Sequence, residues 1–399
     1  MSKQEMGRKV LRIGVIGIGN MGSVHAVQIF EGKVKGAVLA AVCDINKERL
    51  DWAGKRFHGS VRLYEDYARL LVEGSVDAVL IATPHNLHPV IAVEAFEKKI
   101  HVLTEKPAGV DGDSVVEMNH VAKSSGMVFG IMYNQRTNPL YKKLHDLVKE
   151  GALGEIKRFV WIINNWYRTQ AYYDSGSWRA TWNGEGGGVL LNQCPHNLDI
   201  WQWIMGMPNR IRAFCRIGNY HDIQVEDDAT IYAEYENGAS AVFITSTGEY
   251  PGTNRMEISG TRGKAVVENG ELKLFLLERN EREICFSSPA GMPVEPVICQ
   301  AIAQEEADNG HLKVLQNFTD AVLYGEELLA PGEEGIHGLR ISNAAYLSAW
   351  KEDWVSVPAD GNEFLRYLNK KREEEKNVSK KGKKENMAEE YSERWSVRW

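Results

Sequence analysis

The chain has 399 residues, 43% of them hydrophobic and 25% charged, with a formal net charge of −7. That length and composition suit two or three domains and exclude disorder over most of the chain. The mild acidity argues against a dedicated nucleic-acid binder. No apolar run reaches the ~18 residues of a membrane span, and residues 1–10 lack the apolar stretch of an export signal.

Short apolar runs alternate with helical patterns through the first third. Strands are expected at Leu11–Ile16, Val38–Cys43, Ala78–Ala82, Val102–Leu103 and Val128–Met132. Their unbroken apolar character suits strands buried on both faces. Helices are expected around Val24–Phe30, Glu48–Phe57, Tyr67–Val72, Pro89–Lys98 and Ser114–Ser124. Such alternation predicts βαβ units on a parallel sheet. From about Arg136 the pattern changes. A helix at Leu140–Glu150 precedes alternating segments at Ile156–Ile163, Ile211–Ile217, Thr230–Tyr235, Ala239–Ser246, Arg255–Ser259, Lys264–Val267 and Leu272–Leu277. Turn signals such as Glu236-Asn237-Gly238 and Glu268-Asn269-Gly270 separate several of them, as in an antiparallel sheet with one exposed face. Two further helices, His311–Tyr324 and Gly338–Lys351, follow a proline-containing stretch at Ser288–Pro296.

The expected fold class is therefore α/β, with a parallel-sheet domain at 1–135 and an α+β domain at 136–369. Residues 370–399 are set apart. Lys370–Lys384 is a dense mixture of Lys, Arg and Glu, expected to be a solvated tail or helix. Tyr391, Trp395 and Trp399 then recur on one helical face. Five cysteines (Cys43, Cys194, Cys215, Cys285 and Cys299) show no C-x-x-C spacing, which fits reduced thiols and a cytoplasmic location.

Gly17-Ile18-Gly19-Asn20-Met21-Gly22 is a G-x-G-x-x-G that follows a strand and opens a helix, the context a dinucleotide-binding turn requires. Gly17 permits the tight turn, Gly19 lets the backbone approach a pyrophosphate, and Gly22 allows close helix–strand packing. Asp44 stands just past the second strand, 22 residues after Gly22. A carboxylate there accepts hydrogen bonds from the adenosine ribose and repels a 2′-phosphate, so NAD is favoured over NADP. Thr83, Asn86 and His88 lie past the carboxyl end of the next strong strand and are expected to contact the cofactor. His85 and His88 lack a third ligand nearby, so no metal is expected.

Thr104-Glu105-Lys106-Pro107 closes another strand. A lysine near a nicotinamide can polarise a substrate hydroxyl. Gly186-Gly187-Gly188 leads through Asn192-Gln193-Cys194-Pro195 into a helix that carries His196 and Asp199. The glycines allow close backbone approach. His196 and Asp199 share one helix face, and a histidine beside a carboxylate is a credible proton carrier.

Together, Val15–Gly22, Glu105-Lys106-Pro107 and Gly186–Asp199 resemble the Gfo/Idh/MocA oxidoreductases, over about residues 10–365. The resemblance implies an N-terminal Rossmann domain and a C-terminal domain with an open, mostly antiparallel sheet that packs against neighbouring subunits. It implies oxidation or reduction of a carbinol in a sugar, polyol or sugar nucleotide. By the match, Lys106 and His196 are the catalytic pair, and Asn134 and Arg136 form an N-x-R element near the cofactor, with Glu105 also on the cofactor side. The family often has Asp where this chain has Asn192. Asparagine cannot take a proton, so Asn192 is assigned to substrate binding, with Tyr133 and Asp199.

Asn165-Trp166-Tyr167-Arg168 and Ser177-Trp178-Arg179-Ala180-Thr181-Trp182 bracket Tyr172-Tyr173-Asp174. Flat rings suit the apolar face of a pyranose, and Arg, Asn and Asp suit its hydroxyls; the same residues also concentrate at subunit interfaces. Trp178 and Arg179 resemble a pair found in sugar-oxidising relatives and are assigned to the substrate. The expectation is an NAD-dependent dehydrogenase acting on a sugar, polyol or glycoside, in either direction, with C3 of a glucosyl unit as a candidate carbon. Two other readings stand beside it: NAD-assisted glycoside cleavage by transient oxidation and elimination, and a non-catalytic NAD-bound sensor. A homo-oligomer (dimer, tetramer or larger) is expected, with no nucleic-acid or membrane partner.

Overall fold

The computed structural model describes residues 10–176, 178–303 and 309–376. They form two compact units. The first opens with β1 (Leu11–Ile16), α1 (Asn20–Phe30), β2 (Ala37–Cys43), α2 (Lys47–Arg56), β3 (Arg62–Tyr64) and α3 (Tyr67–Glu73). It continues with β4 (Ala78–Ile81), α4 (Leu87–Glu97), β5 (His101–Thr104), α5 (Gly112–Ser125) and β6 (Phe129–Ile131). The six strands lie parallel in the order β3-β2-β1-β4-β5-β6. Sequence order reverses between β1 and β4, and the carboxyl ends beside that point are where open α/β sheets bind ligands. Val79, Val102 and Ile81 are fully buried because helices cover both faces. The helices begin where side chains cap them: Asn46, Asp66 and Asp111 accept from the backbone N–H groups of Glu48, Ala68 and Ser114.

The second unit begins with α6 (Pro139–Lys149), β7 (Ile156–Ile163), α7 (Gln170–Tyr173), α8 (Pro195–Met205), β8 (Arg210–Ile217), β9 (Glu226–Glu234) and β10 (Ser240–Ser246). β11 (Asn254–Gly260), β12 (Gly263–Glu268), β13 (Glu271–Leu277), α9 (Glu281–Ser287) and β14 (Val297–Ala303) follow. After α10 (Gly310–Tyr324) and α11 (Gly335–Lys351), β15 (Val355–Ser356) and α12 (Gly361–Lys376) complete the described chain. Nine strands run in the order β14-β13-β12-β11-β7-β10-β9-β8-β15. β7 and β10 pair in parallel and the rest are antiparallel. Alternate residues face the core: Phe159 and Trp161 of β7 and Phe243 of β10 are fully buried, and Phe159 and Phe243 both stack on Trp201 of α8.

Three features depart from the sequence expectation. The chain returns to the first unit for residues 309–336, so the second domain is not the continuous span 136–369. Val314, Leu315 and Phe318 of α10 join the core of Leu11, Ile13 and Leu103. Helix α12 runs through residue 376, and Glu375 is buried, so the start of the charged stretch is part of the second unit rather than a tail. The aromatic face of Tyr391, Trp395 and Trp399 lies outside the described residues. β3 and β14 escape pattern reading because both are largely exposed and carry no buried apolar run.

A Cβ on Gly22 would lie 1.8 Å from the Gly17 carbonyl oxygen. Gly22→Ala must push α1 away from that turn. The expected cost is about 1–3 kcal/mol, read as a lower thermal midpoint by circular dichroism.

Candidate active site

The turn between β1 and α1 is built for an anion. Gly17 has φ +85°, and a Cβ there would meet the Ala82 carbonyl oxygen at 2.6 Å. Gly19 occupies the N-cap of α1 with no side-chain cap, and the first turn of the helix holds no acidic residue. The N–H groups of Asn20, Met21 and Gly22 precede the first intrahelical bond, from Ser23 N–H to Gly19 O at 2.9 Å. Asp44 is buried and accepts from Ile18 N–H and Asn46 N–H, each at 2.9 Å, and from Arg49 Nη1 at 3.4 Å. It therefore holds the glycine turn itself beside the end of β2. At the neighbouring strand end, Thr83 Oγ1 is buried with no hydrogen-bond partner among the described residues. Uncapped helix, fitted glycines and orphaned hydroxyl together suit a dinucleotide. Asn86 is exposed at the N-terminus of α4, and Asn134 is buried just after β6.

Lys106 stands on a braced turn. Glu105 accepts from Lys106 N–H at 3.2 Å and pairs with His25 Nε2 at 2.7 Å. Burial pushes the Glu105 carboxyl up, but the bond and charge of His25, with His311 and Lys106, outweigh it and hold Glu105 at about 2. His311, 5.7 Å from the His25 ring, is drawn down to about 4 by burial and by the charges of His25 and Lys106. His88 is fully buried, with Nδ1 2.7 Å from Pro107 O and Nε2 2.8 Å from Thr83 O. Burial lowers its pKa. Glu105 and His88 thus brace the two loops from inside. Tyr133 is also interior, its hydroxyl 3.4 Å from Gly335 O. No cluster of three metal-ligating side chains occurs among the described residues.

In the second unit, the triple glycine approaches protein rather than ligand. Cβ atoms on Gly187 and Gly188 would meet Tyr346 Oη at 2.2 Å and Glu226 O at 1.9 Å. Glu226 is fully buried and accepts from Gly188 N–H and Leu190 N–H at 2.9 Å and from Tyr346 OH at 2.7 Å. Burial pushes it up to about 7 against the pull of those donors. The register shifts between Arg216 and Ile217, which pair with Asp228 and Glu226. Such a bulge re-aims the skipped residue. Asp227 accepts from the N–H groups of Asn219, Tyr220 and His221, while His221 Nε2 lies 2.9 Å from Arg168 O. Two adjacent carboxylates thus hold the loops on either side of the site.

His196 is buried in the first turn of α8, after Pro195 at its start. Asp199 is fully buried, and Arg136 donates to it through Nε and Nη2 at 2.8 and 2.7 Å. Gln202 Nε2 adds a third bond at 3.0 Å. Asp199 therefore ties Arg136 to α8. The expected aromatic segment does assemble. The Arg179 guanidinium lies over the rings of Tyr172 at 4.6 Å and Trp178 at 4.8 Å, and Arg168 covers the Tyr172 ring at 5.1 Å. Asn192 and Gln193 reach the Tyr172 hydroxyl at 3.4 and 3.2 Å. Behind this loop, Glu375 of α12 accepts from Trp182 N–H at 2.9 Å and Asn183 N–H at 3.0 Å.

Sequence reasoning missed Glu185, Glu226, Asp227 and Glu375. Only Glu226-Asp227-Asp228 carried a signal: three acids at the head of an otherwise apolar strand are out of place unless something inside needs them. Two outcomes follow from these carboxylates. Between pH 4.5 and about 7 the unfolded chain releases the Glu226 proton while the folded chain keeps it, so this group withdraws stability as pH rises. The Tm difference between wild type and Glu226→Gln is expected to move in the variant's favour from about pH 5 to about pH 7. Arg136→Ala strands a buried charge on Asp199 and is expected to cost about 3–5 kcal/mol, measured by denaturant unfolding.

Known proteins place this architecture. A family model described as an oxidoreductase family with an NAD-binding Rossmann fold matches residues 11–133, and the GFO/IDH/MocA C-terminal domain matches residues 141–266. Myo-inositol 2-dehydrogenase of Thermotoga maritima is 26% identical, covering 84% of this chain and 95% of its own. Levoglucosan dehydrogenase of Pseudarthrobacter phenanthrenivorans is 25% identical, covering 87% and 98%. Among solved structures, the WlbA dehydrogenase of Chromobacterium violaceum, in complex with NADH and UDP-GlcNAcA, superposes with a TM-score of 0.76 at 26% identity, covering 89% of this chain and 98% of that one. The Rossmann turn and the matches to both domains, in chain order, make this chain an NAD-binding oxidoreductase of the GFO/IDH/MocA family.

Proposed function

We propose that the protein is an NAD-dependent dehydrogenase of a secondary hydroxyl in a sugar, polyol or glycoside. The observation that carries the substrate class is the Trp178–Arg179–Tyr172 stack with Asn192 and Gln193 gathered on the Tyr172 hydroxyl. Rings for an apolar sugar face and amides for its hydroxyls are what a carbohydrate site needs. Curated relatives named for myo-inositol and levoglucosan support the same class.

The glycine turn and Asp44 hold the cofactor, whose nicotinamide supplies the hydride acceptor or donor. In this reading Lys106 donates a hydrogen bond to the reacting oxygen and stabilises the charge that develops there. His196 accepts the hydroxyl proton in oxidation and returns it in reduction. Glu105 and His88 keep the Lys106 turn from relaxing, so its ammonium does not have to find its position in each turnover. The C3 carbon of a glucosyl unit is the position we favour. The open face of the nine-stranded sheet, with Phe214 and Tyr232 exposed, is where a second copy packs in this reading.

Absorbance near 340 nm, followed over a panel of polyols and glycosides, tests the substrate class. Net NADH formation from a sugar is the expected result; sugar release without it would instead favour transient oxidation. Lys106→Ala is expected to lower kcat by about 10²–10⁴ while NADH still quenches tryptophan fluorescence. Near-wild-type turnover in that variant would sink the assignment.

A further inference from the structure

Glu185 is a buried carboxylate in a glycine-rich loop, 1% exposed, with no part in the chemistry above. Its Oε2 accepts from Ala180 N–H at 2.7 Å, beside the Trp178–Arg179 pair. Its Oε1 accepts from Asn192 Nδ2. Nδ2 of the same amide lies 3.4 Å from the Tyr172 hydroxyl, to which Arg179 Nη1 donates at 2.9 Å. One chain of bonds therefore runs from the aromatic loop through Glu185 to the residue four positions before His196.

The Glu185 carboxylate accepts from Ala180 N–H through Oε2 and from Asn192 Nδ2 through Oε1, so the amide nitrogen of Asn192 is turned towards Glu185 and its Oδ1 away. A lone asparagine has two orientations, separated by a flip. We propose that Glu185 is a positioning residue that fixes Asn192 as a hydrogen-bond acceptor towards the substrate and, through Ala180, locks the Trp178–Arg179 loop to it. This rests on the reading that Asn192 contacts the substrate. Its consequence is specific: the substrate meets Asn192 with a hydroxyl that donates. Glu185 and Asn192 then form a carboxylate–amide pair, and such a pair also works with the two groups exchanged.

The test is a double-mutant cycle of Glu185→Gln, Asn192→Asp and the two combined, with NADH binding followed by fluorescence as a control expected to stay unchanged. Glu185→Gln lets the amide flip, so KM for the sugar identified by the absorbance panel is expected to rise about tenfold or more with kcat within about threefold. Asn192→Asp sets two carboxylates against each other, which then share a proton. KM in that variant is expected to be high and to fall as pH is lowered. The combined variant restores a pair with its polarity reversed and is expected to recover most of the stability lost in the single variants, measured by denaturant unfolding. Strictly additive stability losses would overturn the pairing, whatever the substrate proves to be. Coupled stabilities with wild-type KM in Glu185→Gln would overturn its role in binding. Absence of turnover on every polyol by the wild type would sink the dehydrogenase reading alone, and the stability cycle would still decide the pair.

Discussion

Buried carboxylates gripping backbone N–H groups are the constraint on which this molecule's functional loops depend. A loop has no ladder to satisfy its donors, and a buried unpaired N–H is costly. Here acids supply the missing acceptors. Asp44 takes the N–H groups of Ile18 and Asn46, Glu226 those of Gly188 and Leu190, and Asp227 those of Asn219, Tyr220 and His221. Glu185 takes Ala180, and Glu375 takes Trp182 and Asn183. Where the acid is ionised, such bonds are stronger than neutral ones. Each loop so held carries residues assigned to cofactor or substrate, or lies against such a loop.

The same logic, with side chains as donors, orders the surroundings of the two candidate catalytic groups. Glu105 is the carboxylate behind Lys106, and its partner is His25; Asp199 is the carboxylate three residues beyond His196, and its partner is Arg136. Both acids are buried and matched, and against the upward push of burial the bond and charge of His25 hold Glu105 at about 2. Glu226 is different. Its bonds come from the N–H groups of Gly188 and Leu190 and the Tyr346 hydroxyl, and burial pushes it up to about 7, which makes it a pH-sensitive point of the second unit.

The sequence was most legible where structure is local. The parallel strands announced themselves because burial on both faces forces unbroken apolar runs, and the glycine turn because Gly17 and Gly22 have neighbours too close for a side chain. Motif order alone pointed to the family. What stayed hidden depends on long-range pairing. Nothing near Leu315 says that it packs with the first-unit core, nothing near Glu375 says that Trp182 lies beside it, and Arg136 meets Asp199 across 63 positions. The triple glycine announces a close approach without saying to what; the approach is to Tyr346 and Glu226. The bracing bonds of Asp199, Glu105 and His88 were hidden for a related reason: a residue type suited to chemistry is equally suited to bracing it.

These constraints divide the second unit into a fixed part and an adjustable one. Helix α8 is buried from Pro195 through Gln202, so His196 cannot shift without disturbing packed neighbours on every side. The described residues between 165 and 183 mix buried positions such as Trp166, Tyr173 and Trp182 with exposed ones, and among them lies one short helix, α7. Their order comes from a few tethers: Glu375 behind Trp182, Glu185 at Ala180, and His221 at Arg168. Substitution within that loop can therefore reshape what lies opposite the rings of Tyr172 and Trp178 without moving the histidine.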